Sequence, residues 1–267
     1  VNRWLLRSAS LALLVALSGC ALIGRNVSVE PVAVSSEKPG NVAMFVAVSQ
    51  NGAPVAGLDK QAFKVFENDV RLDSEQVKLT LLPTATSAAR HIALLVDMSK
   101  TLNPADKKSM TESLRAFIVK LRQREAVSLY AFDGTEKTHL IADYTRDEHA
   151  TPDDKDTSLD RLLSFSRRDS SSSLYTAVMD GAQKLSVSLN AEGRPIQNGT
   201  VVVIALNPDL AGRVNDGKVR DYIADSAHHY FLMTVGPWAT ATNVSFLGRN
   251  GGTRAASVNT MNTPLDN

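Results

Sequence analysis

Asp97, Ser99 and Thr101 alternate with Met98 and Lys100, so a carboxylate and two hydroxyls recur on every second residue. All three offer oxygen, and a hard divalent cation takes oxygen ligands. The same pattern also suits a polar strand-to-helix turn in which a hydroxyl caps the helix. The residues in front are Ile92-Ala93-Leu94-Leu95-Val96, an apolar run without a polar break that stops at the acid. Such a run reads as a strand buried on both faces, as in a parallel sheet. Ligands of open α/β sheets bind in the crevice outside the carboxyl ends of such strands.

The elements that would position these oxygens follow from hydrophobic period and punctuation. Asn103 and Pro104 make a helix start, a cap followed by proline at the first helical position. Met110, Leu114, Phe117, Ile118 and Leu121 then form one apolar helical face. Val127 to Phe132 reads as the next strand, Thr157 to Phe165 as a short helix, and Leu174, Val178, Leu185 and Leu189 as the face of a longer one. Thr200 to Leu206 is a strongly apolar strand, Val219, Tyr222 and Ile223 mark a helix, and His229 to Val235 is another strand. Alternation of strands and helices predicts an α/β fold with a doubly wound, mostly parallel sheet.

The chain of 267 residues has room for one such domain and a smaller module. Its 43% apolar and 21% charged content is that of a folded protein. With 29 basic and 28 acidic residues there is no electrostatic case for nucleic acid. Cys20 is the lone cysteine, which excludes a disulfide or a cysteine-rich zinc site within the chain. No G-x-S-x-G, P-loop, G-x-G-x-x-G or H-E-x-x-H occurs, and the chain is read as a non-enzyme.

Arg3 and Arg7 precede an apolar segment, Ala9 to Leu17, too short to span a bilayer. A basic start, apolar middle and small residues after it make a secretory signal. Leu17-Ser18-Gly19-Cys20 resembles the lipobox of bacterial lipoproteins. The resemblance implies a signal peptide over residues 1–19, cleavage before Cys20, and acylation of that cysteine as a membrane anchor. Buried acyl chains contribute about 0.8 kcal/mol per methylene, and more than one chain is needed for stable anchoring. Ala21 after the cysteine favours the outer over the inner membrane, by analogy with enteric bacteria. Residues 20–40, with Pro31, Pro39 and several serines, read as a tether.

Residues 41–85 have strand chemistry. Val42, Met44 and Val46 alternate with smaller residues, and Asn51-Gly52 and Asn68-Asp69 mark tight turns. Val55-Ala56-Gly57-Leu58 and Phe63-Lys64-Val65-Phe66-Glu67 resemble a small β-module found before the von Willebrand factor A domain in some bacterial secreted proteins.

That family's domain carries a D-x-S-x-S signature at its metal-ion-dependent adhesion site, and Asp97-Met98-Ser99-Lys100-Thr101 is similar to it. The run Ser170-Ser171-Ser172-Ser173-Leu174-Tyr175-Thr176-Ala177 resembles the family's G-G-T-x-L-Y-x-A, with Ser172 in the threonine's place. The strand ending at Leu206 leads into Asn207-Pro208-Asp209, where the family has T-D-G. The resemblance therefore implies a domain over residues 90–267 that holds Mg2+ or Mn2+ through Asp97, Ser99, Thr101, Ser172 and Asn207, with Asp209 as an additional candidate. Asn207 supplies an amide oxygen without charge, so the site is partly degenerate. It further implies a protein partner whose acidic residue completes the coordination sphere. A metal-independent scaffold of an envelope assembly, for secretion or motility, is the alternative. The resemblance also implies a closing helix, of which this sequence has at most Thr263-Pro264-Leu265-Asp266-Asn267, as either a truncated sequence or an unusual terminus would give.

Two further features stand outside that pattern. Trp238, on a loop at the carboxyl end of the last long strand, is either a partner-binding anchor or packing on the domain's own edge. His228-His229 reads as a solvated turn in preference to a zinc site.

Overall fold

A computed structural model of the chain describes residues 27–37, 40–82, 87–123, 125–144, 158–240 and 244–261. Its described residues divide into two compact units, one made of residues up to 34 with 44–81 and the other of the remaining described residues. Cys20 and the last residues, 262–267, lie outside the described residues, so the anchor and the reduced closing helix remain sequence expectations.

The smaller unit is built on strands β1 (Val27–Glu37), β2 (Asn41–Gln50) and β3 (Ala53–Pro54), hydrogen-bonded in that order. Asn51 and Gly52 both have positive φ, 52° and 81°, as the two-residue turn between β2 and β3 requires. A second hairpin pairs β4 (Phe66–Glu67) with β5 (Val70–Arg71) across Asn68-Asp69, again with both turn residues at positive φ. The tether expected over residues 20–40 is corrected here, because Val27–Glu37 is a strand. Val27, Val29, Val32 and Val34 supply β-propensity, but Pro31 interrupts their alternation. Proline is tolerated on edge strands, and β1 is at the edge of its sheet.

The larger unit is a six-stranded sheet in the order β11-β10-β9-β6-β7-β8. Its strands are β6 (Ala88–Asp97), β7 (Ala126–Phe132), β8 (His139–Tyr144), β9 (Ile196–Ala205), β10 (His229–Val235) and β11 (Gly251–Ala255). Among the described residues four α-helices accompany them: α1 (Pro104–Arg122), α2 (Ser158–Leu163), α3 (Leu174–Ala191) and α4 (Asp216–Asp225). β6 lies between β7 and β9 and is parallel to both. β9, β10 and β11 continue in parallel, and β8 closes the far edge antiparallel to β7. The mostly parallel sheet is thus as expected, while β8 adds a strand that the apolar pattern did not reveal. Its burial alternates, with Ala142 and Tyr144 inside and Leu140 exposed, so no continuous apolar run marks it.

Both faces of the sheet are covered, which explains the run at residues 92–96. Ile92, Leu94 and Val96 pack with Met110, Leu114 and Ile118 of α1 and with Leu159 and Leu162 of α2. Ala93 and Leu95 pack on the other face with Leu174, Val178, Leu185 and Leu189 of α3 and with Val219 and Ile223 of α4. α1 begins as its sequence implies, with Asn103 Oδ1 accepting the Asp106 N–H at 2.8 Å and Pro104 in the first turn. α3 lies so close to β6 that a Cβ on Gly181 would come within 2.7 Å of a Leu95 methyl. Among the described residues no helix is long and apolar enough to cross a membrane.

Candidate functional site

Parallel strands deliver their following loops to one edge of the sheet, and the loops after β6, β7 and β9 meet there with the segment between α2 and α3. Backbone bonds lace them together. Met98 N–H donates to the Phe132 carbonyl at 2.8 Å, and Ser173 N–H to the Asp133 carbonyl at 3.0 Å. Leu210 and Ala211 N–H both donate to the Ser172 carbonyl, at 2.9 and 3.0 Å. Gly134 sits so tightly against the loop before α3 that a Cβ there would fall 2.2 Å from Ser171 Oγ.

Asp97, the last residue of β6, is completely buried at the centre. Its Oδ1 accepts the Ser99 N–H at 2.9 Å. Its Oδ2 accepts Leu206 N–H at 3.1 Å, Asn207 N–H at 3.0 Å and the Ser172 hydroxyl at 3.2 Å. Burial raises the Asp97 carboxyl above its ordinary value of 3.8, and the bonds from Ser99, Leu206 and Asn207 oppose that rise. The carboxylate therefore acts as the knot that ties three loops, with donors already on both oxygens.

A second buried carboxylate fastens the neighbouring loops. Asp133 Oδ1 accepts from Thr135 N–H at 2.8 Å and its hydroxyl at 2.6 Å, and Oδ2 accepts Arg168 N–H at 2.8 Å. Burial alone would raise the Asp133 carboxyl, but these bonds outweigh it and hold the group below its ordinary value. Beside it, Asp169 bonds the Ser171 hydroxyl at 2.7 Å and pairs with Arg213 at 3.3 Å, and Arg213 Nε also donates to the Gly134 carbonyl at 2.6 Å.

The structure brings Asp97, Ser99, Ser172 and Asn207 into direct contact. Asp209 does not join them. Its Oδ1 accepts Tyr175 N–H at 3.0 Å in the first turn of α3, and its Oδ2 accepts Gly212 N–H at 3.2 Å. A helix start attracts a carboxylate, and Asp209 satisfies that demand in place of a metal. Thr101 is exposed, and its hydroxyl accepts from Arg167 Nη1 at 2.6 Å. The same Nη1 donates to the Ser99 carbonyl at 3.3 Å.

The residues do not suit a divalent cation in this arrangement. Asn207 turns its amide N–H, and not its oxygen, toward Ser99 Oγ at 2.9 Å. A guanidinium stands against Thr101, where it repels a second cation. One carboxylate remains, already accepting four hydrogen bonds. Among the described residues no group of three or more His, Cys, Asp or Glu is placed to hold a metal.

Arg167 is the residue that the motif reading missed. It lies in the run Ser166-Arg167-Arg168-Asp169 directly before the serines. Nothing in that run signals a contact with Ser99, 68 residues earlier. Trp238 is half-buried against the core on the α3 side, with Nε1 donating to the Val235 carbonyl at 3.0 Å, so it packs on its own domain. His228 is no solvated turn either. Its Nε2 is 2.7 Å from Ser186 Oγ of α3, and burial lowers its pKa.

No family model matches the chain, and no curated protein sequence matches it. Solved structures do resemble it. A von Willebrand factor type A structure from Catenulispora acidiphila aligns with a TM-score of 0.50 and 6% identity, over 90% of this chain and 47% of that one. The ArnB paralog VWA2 from Sulfolobus acidocaldarius aligns at 0.47 and 12% identity, over 90% of this chain and 53% of that one. Proximal thread matrix protein 1 from the mussel byssus aligns at 0.47 and 13%, over 68% and 47%. The chain thus spans about half the length of these structures. Identities this low speak to fold and not to activity. A mostly parallel six-stranded sheet between two helical layers, with its serine-rich and aspartate loops gathered at one edge, gives this unit the von Willebrand factor type A fold.

Proposed function

We propose that the chain is a lipid-anchored, extracytoplasmic protein of a bacterial envelope. Its α/β unit holds a protein partner on the loops at the carboxyl ends of the sheet, and does so without a metal ion. The observation that carries this reading is the set of loops tied to Asp97, which presents a prepared surface where open α/β sheets take their ligands. Rigid loops bind with little ordering cost, which favours recognition by a preformed surface. The absence of nucleophile–base signatures in the sequence supports binding over catalysis. The metal-free form is favoured by the Asn207 amide on Ser99 and by the guanidinium on Thr101. The anchor at Cys20 and the preference for the outer membrane rest on the lipobox resemblance.

The test is site-specific photo-crosslinking of the full chain in envelope membranes. A photo-reactive residue replaces Leu210, exposed within the loop cluster, or Val187, exposed near the far end of α3. A discrete protein adduct is expected from position 210 and none from 187, with the same yield in the presence of EDTA. No adduct from 210, or adducts from 187 alone, would remove the edge-loop reading. Loss of the 210 adduct in EDTA would restore the metal-dependent one.

A further inference from the structure

The guanidinium of Arg167 occupies a position with three unusual properties. It is anchored, because Nη1 donates to both Thr101 Oγ1 and the Ser99 carbonyl, at 2.6 and 3.3 Å. It belongs to an exposed residue, and among the described residues it pairs with no carboxylate. The acids of the neighbouring loops are otherwise engaged: Asp97 and Asp133 by backbone donors, Asp169 by Arg213 and Ser171, and Asp209 by the start of α3. An arginine with one nitrogen fixed keeps Nη2 and Nε as donors in a rigid plane.

Thr101 adds to this donor set. Its Oγ1 accepts from Arg167, so its own O–H is left to donate, and it meets no acceptor among the described residues. A planar fork beside a hydroxyl donor matches a two-oxygen planar acceptor. Exposed Lys100 and Arg168 flank the pair in sequence, and neither forms an ion pair among the described residues.

We propose that Arg167, braced by Ser99 and Thr101, supplies the positive charge of this site in place of a metal, and that it recognises a side-chain carboxylate of the protein partner. The inference rests on the edge-loop reading above and deepens it by assigning the residue and the chemistry of the ligand. Thr101 is a positioning residue for the guanidinium and a second donor to the acid.

The experiment uses the same full chain with the photo-reactive residue at position 210, in envelope membranes with EDTA throughout. Arg167→Glu places a carboxylate against the partner's acid and is expected to lower the adduct yield by about tenfold or more. Arg167→Lys keeps the charge without the fork and is expected to fall between. Raising salt from low to high ionic strength lowers the wild-type yield and leaves the residual yield of Arg167→Glu nearly flat. Thermal melting of each variant is expected to stay close to wild type, because Arg167 and its nearer acceptor Thr101 are both exposed and its bond to the carbonyl of buried Ser99 is long, at 3.3 Å.

A wild-type adduct that persists undiminished in Arg167→Glu overturns the inference while leaving the edge-loop reading in place. No wild-type adduct at all defeats the edge-loop reading itself. Loss of yield in Arg167→Glu accompanied by a lowered melting temperature would assign Arg167 a structural role and overturn recognition. Loss of the wild-type adduct after phosphatase treatment of the membranes would make the anion a phosphoryl group and overturn the carboxylate.

Discussion

Replacing Asp97 by alanine removes the acceptor for three backbone N–H groups at once. Ser99 and Leu206 are buried and Asn207 is half-buried, so water reaches these donors poorly. A buried donor left unsatisfied costs about 1–3 kcal/mol, which puts the two buried donors alone at about 2–6 kcal/mol. Two effects act against this. The alanine leaves space that a water can enter to bond part of the set, and it removes a buried charge whose pKa is raised by burial. The net expectation is a loss of about 3 kcal/mol, a large share of the roughly 5–15 kcal/mol that holds a domain folded.

Asp97→Asn separates these effects. Its single oxygen can take the Oδ2 position and keep the bonds from Ser172, Leu206 and Asn207, while its amide N–H2 then faces the Ser99 N–H. One bond is lost and no charge is buried, so the expected loss is about 1–2 kcal/mol. The pH dependence has a definite sign. Because the folded carboxyl sits above its ordinary 3.8, the folded state binds the proton more tightly than the unfolded one. The stability contributed by that proton is present below 3.8 and is lost as pH rises through the raised folded value. Wild type should therefore gain on Asp97→Asn as pH falls through that window.

Urea unfolding of the three proteins at several pH values, with and without millimolar magnesium, reads all of this. The expected order of stability at neutral pH is wild type, asparagine, alanine, with no midpoint moved by magnesium. An alanine variant within about 0.5 kcal/mol of wild type, well below the cost of one unsatisfied donor, would refute Asp97 as the knot. A magnesium-dependent rise in wild type alone would refute the account of the site as unsuited to metal.

Two other predictions concern the scaffold and the anchor. Gly181→Ala should gain about 1 kcal/mol of helix propensity but lose about 1–3 kcal/mol to overpacking against the fully buried Leu95. The net destabilisation should be about 1 kcal/mol, and a stabilised variant in thermal unfolding would mean that Leu95 can move aside. Cys20→Ala should shift the chain from the membrane to the soluble fraction and abolish incorporation of a labelled fatty acid. Unchanged fractionation and labelling would discard the lipobox reading.

Much of the α/β unit is legible in the sequence because its signals are local. An apolar run without a polar break is what a strand covered on both faces needs, and Ile92 to Val96 has one set of side chains on α1 and the other on α3. Asn103-Pro104 is a local signal that starts this helix, since the cap and the fixed φ act within one turn. Edge elements are harder. β8 buries only part of its length, and β1 carries a proline that a central strand would reject. Neither has an environment demanding enough to stamp a pattern on the residues.

The site divides along the same line. Asp97, Ser99 and Thr101 stand out because they end a buried strand, and Ser172 and Asn207 only because their runs resemble the family's motifs. What those residues do to one another depends on groups far away in the chain. The donors on Asp97 Oδ2 come from 75 to 110 residues away, and Arg167 reaches Thr101 across 66. Sheet pairing sets those distances, and burial decides which oxygens remain open. The sequence alone determined that oxygen-bearing loops gather at one edge of a parallel sheet. Only the tertiary structure decided that Asp209 turns to α3, that Asn207 offers its N–H, and that the cation at the edge is an arginine, because each follows from which polar group lies nearest once the strands are aligned.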